Sequence, residues 1–371
     1  MLFVYVFIKS EACFYSEVYI IFYLWEYLKT ANKPIVLYGM GDGADKLLNV
    51  CDKKGIKISG IFASDGFVRG HSFRGFKVKT LAETQSLYSD FIILLAFGSK
   101  DPDTIKMLCE LSQKHELYAP DLPVFGTELF DSDFYNANKS KIDTLYNLFA
   151  DEESKQVLNS ILEYKLSGKL RYLFNAHSDV CEAWNILNLS QNETYLDAGA
   201  YNGDTVLGFT ETVNNQYNHI YAYEPDSKNF VKLEKNIKNN DIKNITLFNS
   251  GLWSEDTALF FNKKAARGSS LITNGNAENL QKVTVLSIDS HFDDIPLSYI
   301  KFDVEGAELE AIAGARNIIK RTKPKLNIAL YHKAEDLFKL PLLIKDINPD
   351  YKFYLRKHPS IPAWDINLYC V

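Results

Sequence analysis

Tyr195-Leu196-Asp197-Ala198-Gly199-Ala200-Tyr201-Asn202-Gly203-Asp204 is the stretch whose pattern settles the architecture. A short apolar run ends on an acid, opens into a loop with two glycines and passes into a helical pattern over 205–213. Strand, glycine loop and helix in that order form the first unit of a doubly wound α/β sheet. Such sheets bind ligands outside the carboxyl ends of their strands, where the strand order reverses. Gly199 and Gly203 let the backbone approach a ligand where a Cβ would clash. The helix that follows presents free N–H groups at its start.

Downstream the cycle repeats. A strand over 219–223 ends in Glu224-Pro225-Asp226 before a helix at 227–239, and a strand over 244–248 ends in Asn249-Ser250-Gly251. A hairpin arm at 258–261 and a strand at 283–286 come next. Then Tyr299-Ile300-Lys301-Phe302-Asp303 feeds Val304-Glu305-Gly306 and a helix over 307–320. Strands at 325–331 and 352–355 close the series. Upstream, strands at 34–38, 56–62, 91–97 and 117–118 alternate with helices at 44–54 and 103–115. Strand-helix repetition with glycine-rich strand ends predicts a parallel sheet covered on both faces. Four segments result: an amino-terminal helical segment (1–32), a smaller Rossmann-like α/β domain (33–130), a helical connector (131–190) and a doubly wound Rossmann-like domain (191–371). In the connector, Asp151-Glu152-Glu153 suits a helix first turn, and Val157, Leu158, Ile161 and Leu162 form its apolar stripe.

A chain of 371 residues with net charge −6 and no basic arm argues against nucleic acid as a partner. Apolar runs at 1–8 and 18–25 lack a preceding basic region or a cleavage motif, and each falls short of the ~20 residues a bilayer span needs. They are expected to pack as buried helix, without stable membrane insertion. Cys13, Cys51, Cys109, Cys181 and Cys370 are odd in number and far apart, which suits reduced thiols in the cytoplasm.

At the strand ends of the second domain the sequence places Asp197, Gly199, Asn202, Gly203 and Asp204, then Glu224, then Ser250 and Gly251, then Asp303 and Glu305. Glu224 stands 27 residues after Asp197, where an acid accepts hydrogen bonds from the hydroxyls of an unphosphorylated ribose. Either a nicotinamide dinucleotide or S-adenosylmethionine has such a ribose. Tyr201 stands where a G-x-G-x-x-G loop needs its second glycine, so bulk obstructs a pyrophosphate there. Asp197 is suited to an ammonium. Both features favour the sulfonium donor.

The segments Y-L-D-A-G-A-Y-N-G-D-T, A-Y-E-P-D, Y-I-K-F-D-V-E-G-A-E-L-E-A-I-A-G-A and I-A-L-Y-H-K-A-E-D-L resemble the FkbM family of S-adenosylmethionine-dependent methyltransferases over about residues 194–371. The resemblance implies that Asp197, Gly199, Gly203, Asp204, Glu224 and Ser250 line the cofactor site. It also implies that Asp303, Glu305 and His332 face the transferred methyl, and that the reaction is O-methylation of a sugar or of a polyketide-type metabolite. The hydroxyl needs a proton acceptor. His332 at a strand end is one candidate; Asp303, which could orient it, is another. Asp303 and Glu305 could instead hold Mg2+ and acidify the hydroxyl. Glu308 and Glu310 read as solvated helix faces, and Arg356 and His358 as parts of a charged hairpin.

In the first domain, Gly39-Met40-Gly41-Asp42-Gly43-Ala44 lies between strand and helix, and Asp65 stands 22 residues beyond Gly43. With I-S-G-I-F-A-S-D and G-F-K-V-K-T-L, this resembles the nucleotide-sugar-binding domain of PglD-type sugar acyltransferases. That implies a ligand loop at Gly39, Gly41, Gly43 and Asp65; a packing role for the same glycines stands beside it. Two rival functions remain at this point: a dinucleotide-dependent oxidoreductase using this loop, and a non-catalytic binding protein. The expected partners are a small-molecule or glycan-precursor acceptor and a second copy of the chain in a homo-oligomer.

Overall fold

A computed structural model of the chain describes residues 22–262 and 280–371. Most of the two apolar runs at the amino terminus falls outside the described residues. The helix Leu24–Thr30 buries Leu24, Trp25 and Leu28 against the first domain.

The first sheet contains β1 (Ile35–Tyr38), β2 (Gly60–Phe62), β3 (Ser72–Phe73), β4 (Phe76–Lys79), β5 (Ile92–Leu95) and β6 (Glu116–Tyr118), ordered β3-β4-β2-β1-β5-β6. β1 and β5 are buried along their whole length because helices cover both faces of a parallel sheet. β2 is shorter than the sequence pattern suggests. Gly55 ends the helix Asp42–Lys54 in the left-handed region at φ +70°, and Ile56 N–H donates back to Cys51 O at 2.8 Å. Residues 56–59 are therefore spent on leaving the helix.

Helices at Ser132–Leu148, Glu152–Ser167, Leu170–Asn175 and Val180–Leu187 follow. Arg356, which reads as a surface hairpin charge, is buried against them. It donates to Asp151 Oδ2 at 2.7 Å and Glu182 Oε2 at 2.9 Å, and its guanidinium also meets Ser154 Oγ at 3.0 Å. His358 likewise turns inward, with Nε2 3.0 Å from Tyr369 Oη.

The second large sheet is built from β7 (Thr194–Ala198), β8 (His219–Tyr223), β9 (Ile245–Phe248), β13 (Tyr299–Phe302), β14 (Lys325–Ala329), β15 (Phe353–Lys357) and β16 (Ile366–Cys370). Its order is β15-β16-β14-β13-β7-β8-β9. All neighbours run parallel except β16, which is antiparallel to both β14 and β15. The order reverses between β7 and β13, so the ligand crevice opens at the carboxyl ends of these two strands. A small separate sheet holds β10 (Gly251–Leu252), β11 (Thr257–Asn262) and β12 (Leu280–Leu286), with the expected hairpin arm pairing antiparallel to β12.

The helix expected over 307–320 is two helices, Glu308–Ala313 and Arg316–Thr322. Gly314 separates them because it passes Trp253: a Cβ on Gly314 would lie 2.0 Å from Trp253 O. Its carbonyl is also diverted, accepting from Asp289 N at 2.7 Å and Ser287 Oγ at 3.0 Å. Among the described residues, no helix is long and apolar enough to cross a membrane.

Candidate active site

At the crevice, the loop after β7 and the turn after β13 are in backbone contact. Gly199 adopts φ +89°, and a Cβ there would sit 1.9 Å from Asp303 O. Glycine at this position is thus a packing requirement between the two strand ends, in addition to any ligand approach. Gly203 has φ +88° and precedes the helix Asp204–Thr212. Tyr201 takes the left-handed region at φ 48°, and its backbone N–H donates to Glu224 Oε2 at 2.9 Å. The other oxygen, Glu224 Oε1, accepts from Asp226 N–H at 2.8 Å. The carboxylate of Glu224 thereby ties the first loop to the second, and each oxygen keeps a further lone pair. Burial pushes its pKa up to about 7, against the lowering effect of those two backbone bonds.

Beyond β9, Ser250 is buried and its Oγ has no protein partner, whereas Asn249 Nδ2 donates to Glu224 O at 2.8 Å. Asn202 Oδ1 accepts from Asp204 N–H at 3.2 Å, and Asp204 itself is exposed at the loop rim. Gly251 lies at the start of β10, packed on Pro225 and Val285. The three loops gathered here are those the sequence pattern names.

Asp197 is placed differently from its expected contact with a ligand ammonium. Its side chain is 0% exposed; Oδ2 accepts from Thr205 Oγ1, and Oδ1 faces Lys301 Nζ at 3.7 Å. The cation beside it belongs to the protein. Burial raises the Asp197 pKa and Lys301 pulls it down. Lys301 is paired with Asp197 in the β13–β7 register, and its Nζ also stands 3.4 Å from Asp303 Oδ2. One buried ammonium therefore spans the acid at the end of β7 and the acid at the end of β13. The strand pattern gives no sign of this, because a lysine inside an apolar run reads as an interruption.

Asp303 keeps a 29% exposed side chain. Its Oδ1 accepts from Tyr331 Oη at 3.1 Å, with His332 Nε2 at 3.6 Å. Burial would raise its pKa; Lys301 and His332 hold it below the usual carboxylate value. Glu305, at φ 54°, points outward with 69% of its side chain exposed.

Glu308, which reads as a solvated helix face, is 1% exposed. Its Oε1 accepts from Val304 N–H at 2.9 Å and from Gly306 N–H at 3.3 Å, closing the turn after β13, and faces His332 Nδ1 at 2.9 Å. His332 is 0% exposed. Burial alone would lower its pKa, but Glu308 first, then Asp303 and Glu305, raise it to about 9. Its carboxylate neighbours favour the protonated ring and the side chain has no solvent access, which suits the expected base role poorly. The ring stands behind Asp303, with Nε2 3.6 Å from Oδ1.

This raised pKa has a consequence for stability. A histidine at 6.5 unfolded and about 9 folded contributes fully below pH 6.5, and the contribution fades as pH rises through 9. Lys357, buried and pushed down to about 7, works in the opposite sense over the same range. Urea unfolding from pH 6 to 10 is therefore best compared with the His332→Asn/Glu308→Gln double variant. The wild type should lose stability relative to the variant as pH rises, whereas parallel profiles would remove the imidazolium.

In the first domain, two glycines of the loop are required by packing. A Cβ on Gly43 would lie 2.2 Å from Ala96 O, and one on Gly39 2.9 Å from the Phe97 ring. Gly41 has open space, and Asp65 is exposed on a short turn after β2.

Residues 197–353 match the family model described as the methyltransferase FkbM domain. Among solved structures, the methyltransferase FkbM from Methylobacillus flagellatus KT aligns over 95% of this chain and 95% of its own, with TM-score 0.71 at 22% identity. Two others overlap far less. An rRNA methylase from Streptococcus thermophilus covers 51% of this chain and 93% of its own, with TM-score 0.34 and 15% identity. A SAM-dependent methyltransferase from Aquifex aeolicus covers 62% and 96%, with TM-score 0.32 and 12% identity. No curated protein matches the sequence. The fold is Rossmann-like and is shared with the FkbM methyltransferase structure. Over residues 197–353 the carboxy-terminal domain is similar to the FkbM methyltransferase domain.

Proposed function

We propose that the protein transfers the methyl group of S-adenosylmethionine to a hydroxyl of a sugar or glycoconjugate precursor. The observation that carries this is the adjoining of two different environments at the β7–β13 switch. One is a loop cradle with the buried acceptor Glu224 and the unpartnered hydroxyl of Ser250. The other is an ionised carboxylate, Asp303, fixed by Tyr331 and Lys301. The cradle fits the donor: Glu224 has free lone pairs for ribose hydroxyls, Ser250 Oγ lacks a partner, and Gly199 to Asp204 supply a loop for the amino-acid end.

When bound, the donor supplies an electrophilic methyl on a sulfonium. Asp303 takes the proton of the attacking hydroxyl. A depressed pKa does not disqualify it, because a hydroxyl oxygen that is gaining a methyl becomes far more acidic than in the ground state. Lys301 keeps Asp303 ionised, and Tyr331 fixes the orientation of its Oδ1. Transfer of label from tritiated S-adenosylmethionine to a panel of sugars and nucleotide-linked sugars tests the reading. An alkali-stable ether product is expected. Donor binding without transfer to any hydroxyl on the panel would refute it.

Mg2+ on Asp303 and Glu305 fits these residues poorly. Asp303 already faces Lys301 and a cationic His332, and both repel a second cation. Asp303, Glu308 and His332 do bring three donor atoms within 4.8 Å of one another. Glu308 Oε1, however, is taken up by the turn amides and by the imidazolium. Full activity after EDTA treatment is expected; loss restored by a divalent cation would return the metal to the mechanism.

A further inference from the structure

The two sheets meet at their carboxyl ends. Just beyond β5, Ser99 forms an antiparallel bridge with Ile361: Ser99 N–H donates to Ile361 O at 2.7 Å, and Ile361 N–H to Ser99 O at 2.9 Å. Residues 358–365 join β15 to β16. Since β16 runs against β14 and β15, this loop lies at the same end of the sheet as Asp303 and Tyr331. Gly98 has no room for a side chain there, because a Cβ would lie 2.4 Å from the Trp364 ring. Lys100 pairs with Asp365 at 2.6 Å.

A second seam lies beside the first. After β6, Phe125 N–H donates to His332 O at 2.9 Å. The Phe125 ring packs on Gly306 and meets the His332 ring edge-on at 5.8 Å. Lys46, on the helix that follows the glycine loop, donates to Val124 O at 3.0 Å. Tyr331 therefore sits between the seams: Leu330 N–H donates to Ile366 O on one side, and His332 O is taken by Phe125 on the other. Burial chiefly raises the Tyr331 pKa, and the charges of Asp303, Asp365 and Glu305 add to it, so these three carboxylates share its surroundings.

We propose that the methyl acceptor binds between the two domains, against Asp303, Tyr331, Glu305, Trp364 and Asp365, as an uncharged sugar ring. The inference rests on the methyl-transfer reading above and adds where the acceptor sits and what charge it carries. Carboxylates accept hydrogen bonds from sugar hydroxyls. The partly exposed rings of Tyr331 and Trp364 offer flat apolar faces to sugar C–H groups. The cations nearby are already matched, Lys301 by Asp197 and Asp303, and Lys100 by Asp365, which leaves Glu305 as the outward charge. A phosphate or nucleotide tail would meet the exposed Glu305 carboxylate here and no unmatched cation among those named.

Saturation-transfer NMR on the full chain with bound S-adenosylhomocysteine tests this. The probes are methyl glycosides of the common hexoses, the corresponding hexose 1-phosphates and UDP-glucose. At least one neutral glycoside should bind and should weaken tenfold or more in both Trp364→Phe and Asp365→Asn, with S-adenosylhomocysteine affinity unchanged. The phosphorylated probes should bind at least tenfold more weakly. Equal or tighter binding of the phosphates, or a neutral sugar indifferent to both variants, would overturn the interdomain site and leave methyl transfer to sugars standing. Absence of both sugar binding and sugar methylation would overturn that broader reading too.

Discussion

Asp303→Asn should lower the rate of methyl transfer by about 10²–10⁴-fold, the usual contribution of a positioned proton acceptor. The substitution keeps the size of the side chain and an oxygen for the Tyr331 hydroxyl, so the turn after β13 should hold. What disappears is the negative charge that receives the proton and answers Lys301 and His332. Binding of S-adenosylhomocysteine should stay within about threefold of wild type, since the donor loops are tied through Glu224 and not through Asp303. Rate and affinity are separable by initial velocities and calorimetry. A variant with more than a tenth of wild-type turnover would move the proton to another group.

Lys301→Met should produce the largest loss of stability of any single side-chain change considered. Lys301 is buried, and its ammonium lies between Asp197, which has no solvent access, and Asp303. Removing one member of a buried ion cluster leaves uncompensated charge and costs about 3–5 kcal/mol. In a domain of this size that corresponds to roughly 10 °C in the unfolding midpoint. Mild acid should recover part of it, because the orphaned Asp197 then takes up a proton. A midpoint within two degrees of wild type would mean that Lys301 does not couple the two strand ends.

Much of this arrangement is legible in the residues alone. Alternating strands and helices with glycines at strand ends give the doubly wound sheet. The acid at the end of the second strand gives Glu224, because ligand-facing positions in such sheets recur at fixed places. Other features resist such reading because they depend on contacts far apart in sequence. Lys301 meets Asp197 only through the β13–β7 register. Glu308 looks like an exposed helix acid until the turn before it folds back to place two amides and a histidine on its carboxylate. The carboxylates of Glu308, Asp303 and Glu305 packed around His332 favour its cationic form against the effect of burial. Phe125 carries no sign in its own segment, as its partners, Gly306 and His332, lie about 200 residues away. Local pattern reports which strand ends face the crevice; charge state is set by what the rest of the chain packs behind them.

The central claim is a donor site at the carboxyl ends of β7, β8 and β9, and calorimetric titration of the chain with S-adenosylhomocysteine tests it most directly. One molecule should bind per chain. Glu224→Ala should weaken binding at least tenfold, as lost hydrogen bonds to a charged partner are worth about 1.5–3 kcal/mol each. Ser250→Ala should have a smaller effect in the same direction. No binding to the wild-type chain, or an affinity indifferent to Glu224→Ala, would contradict the account.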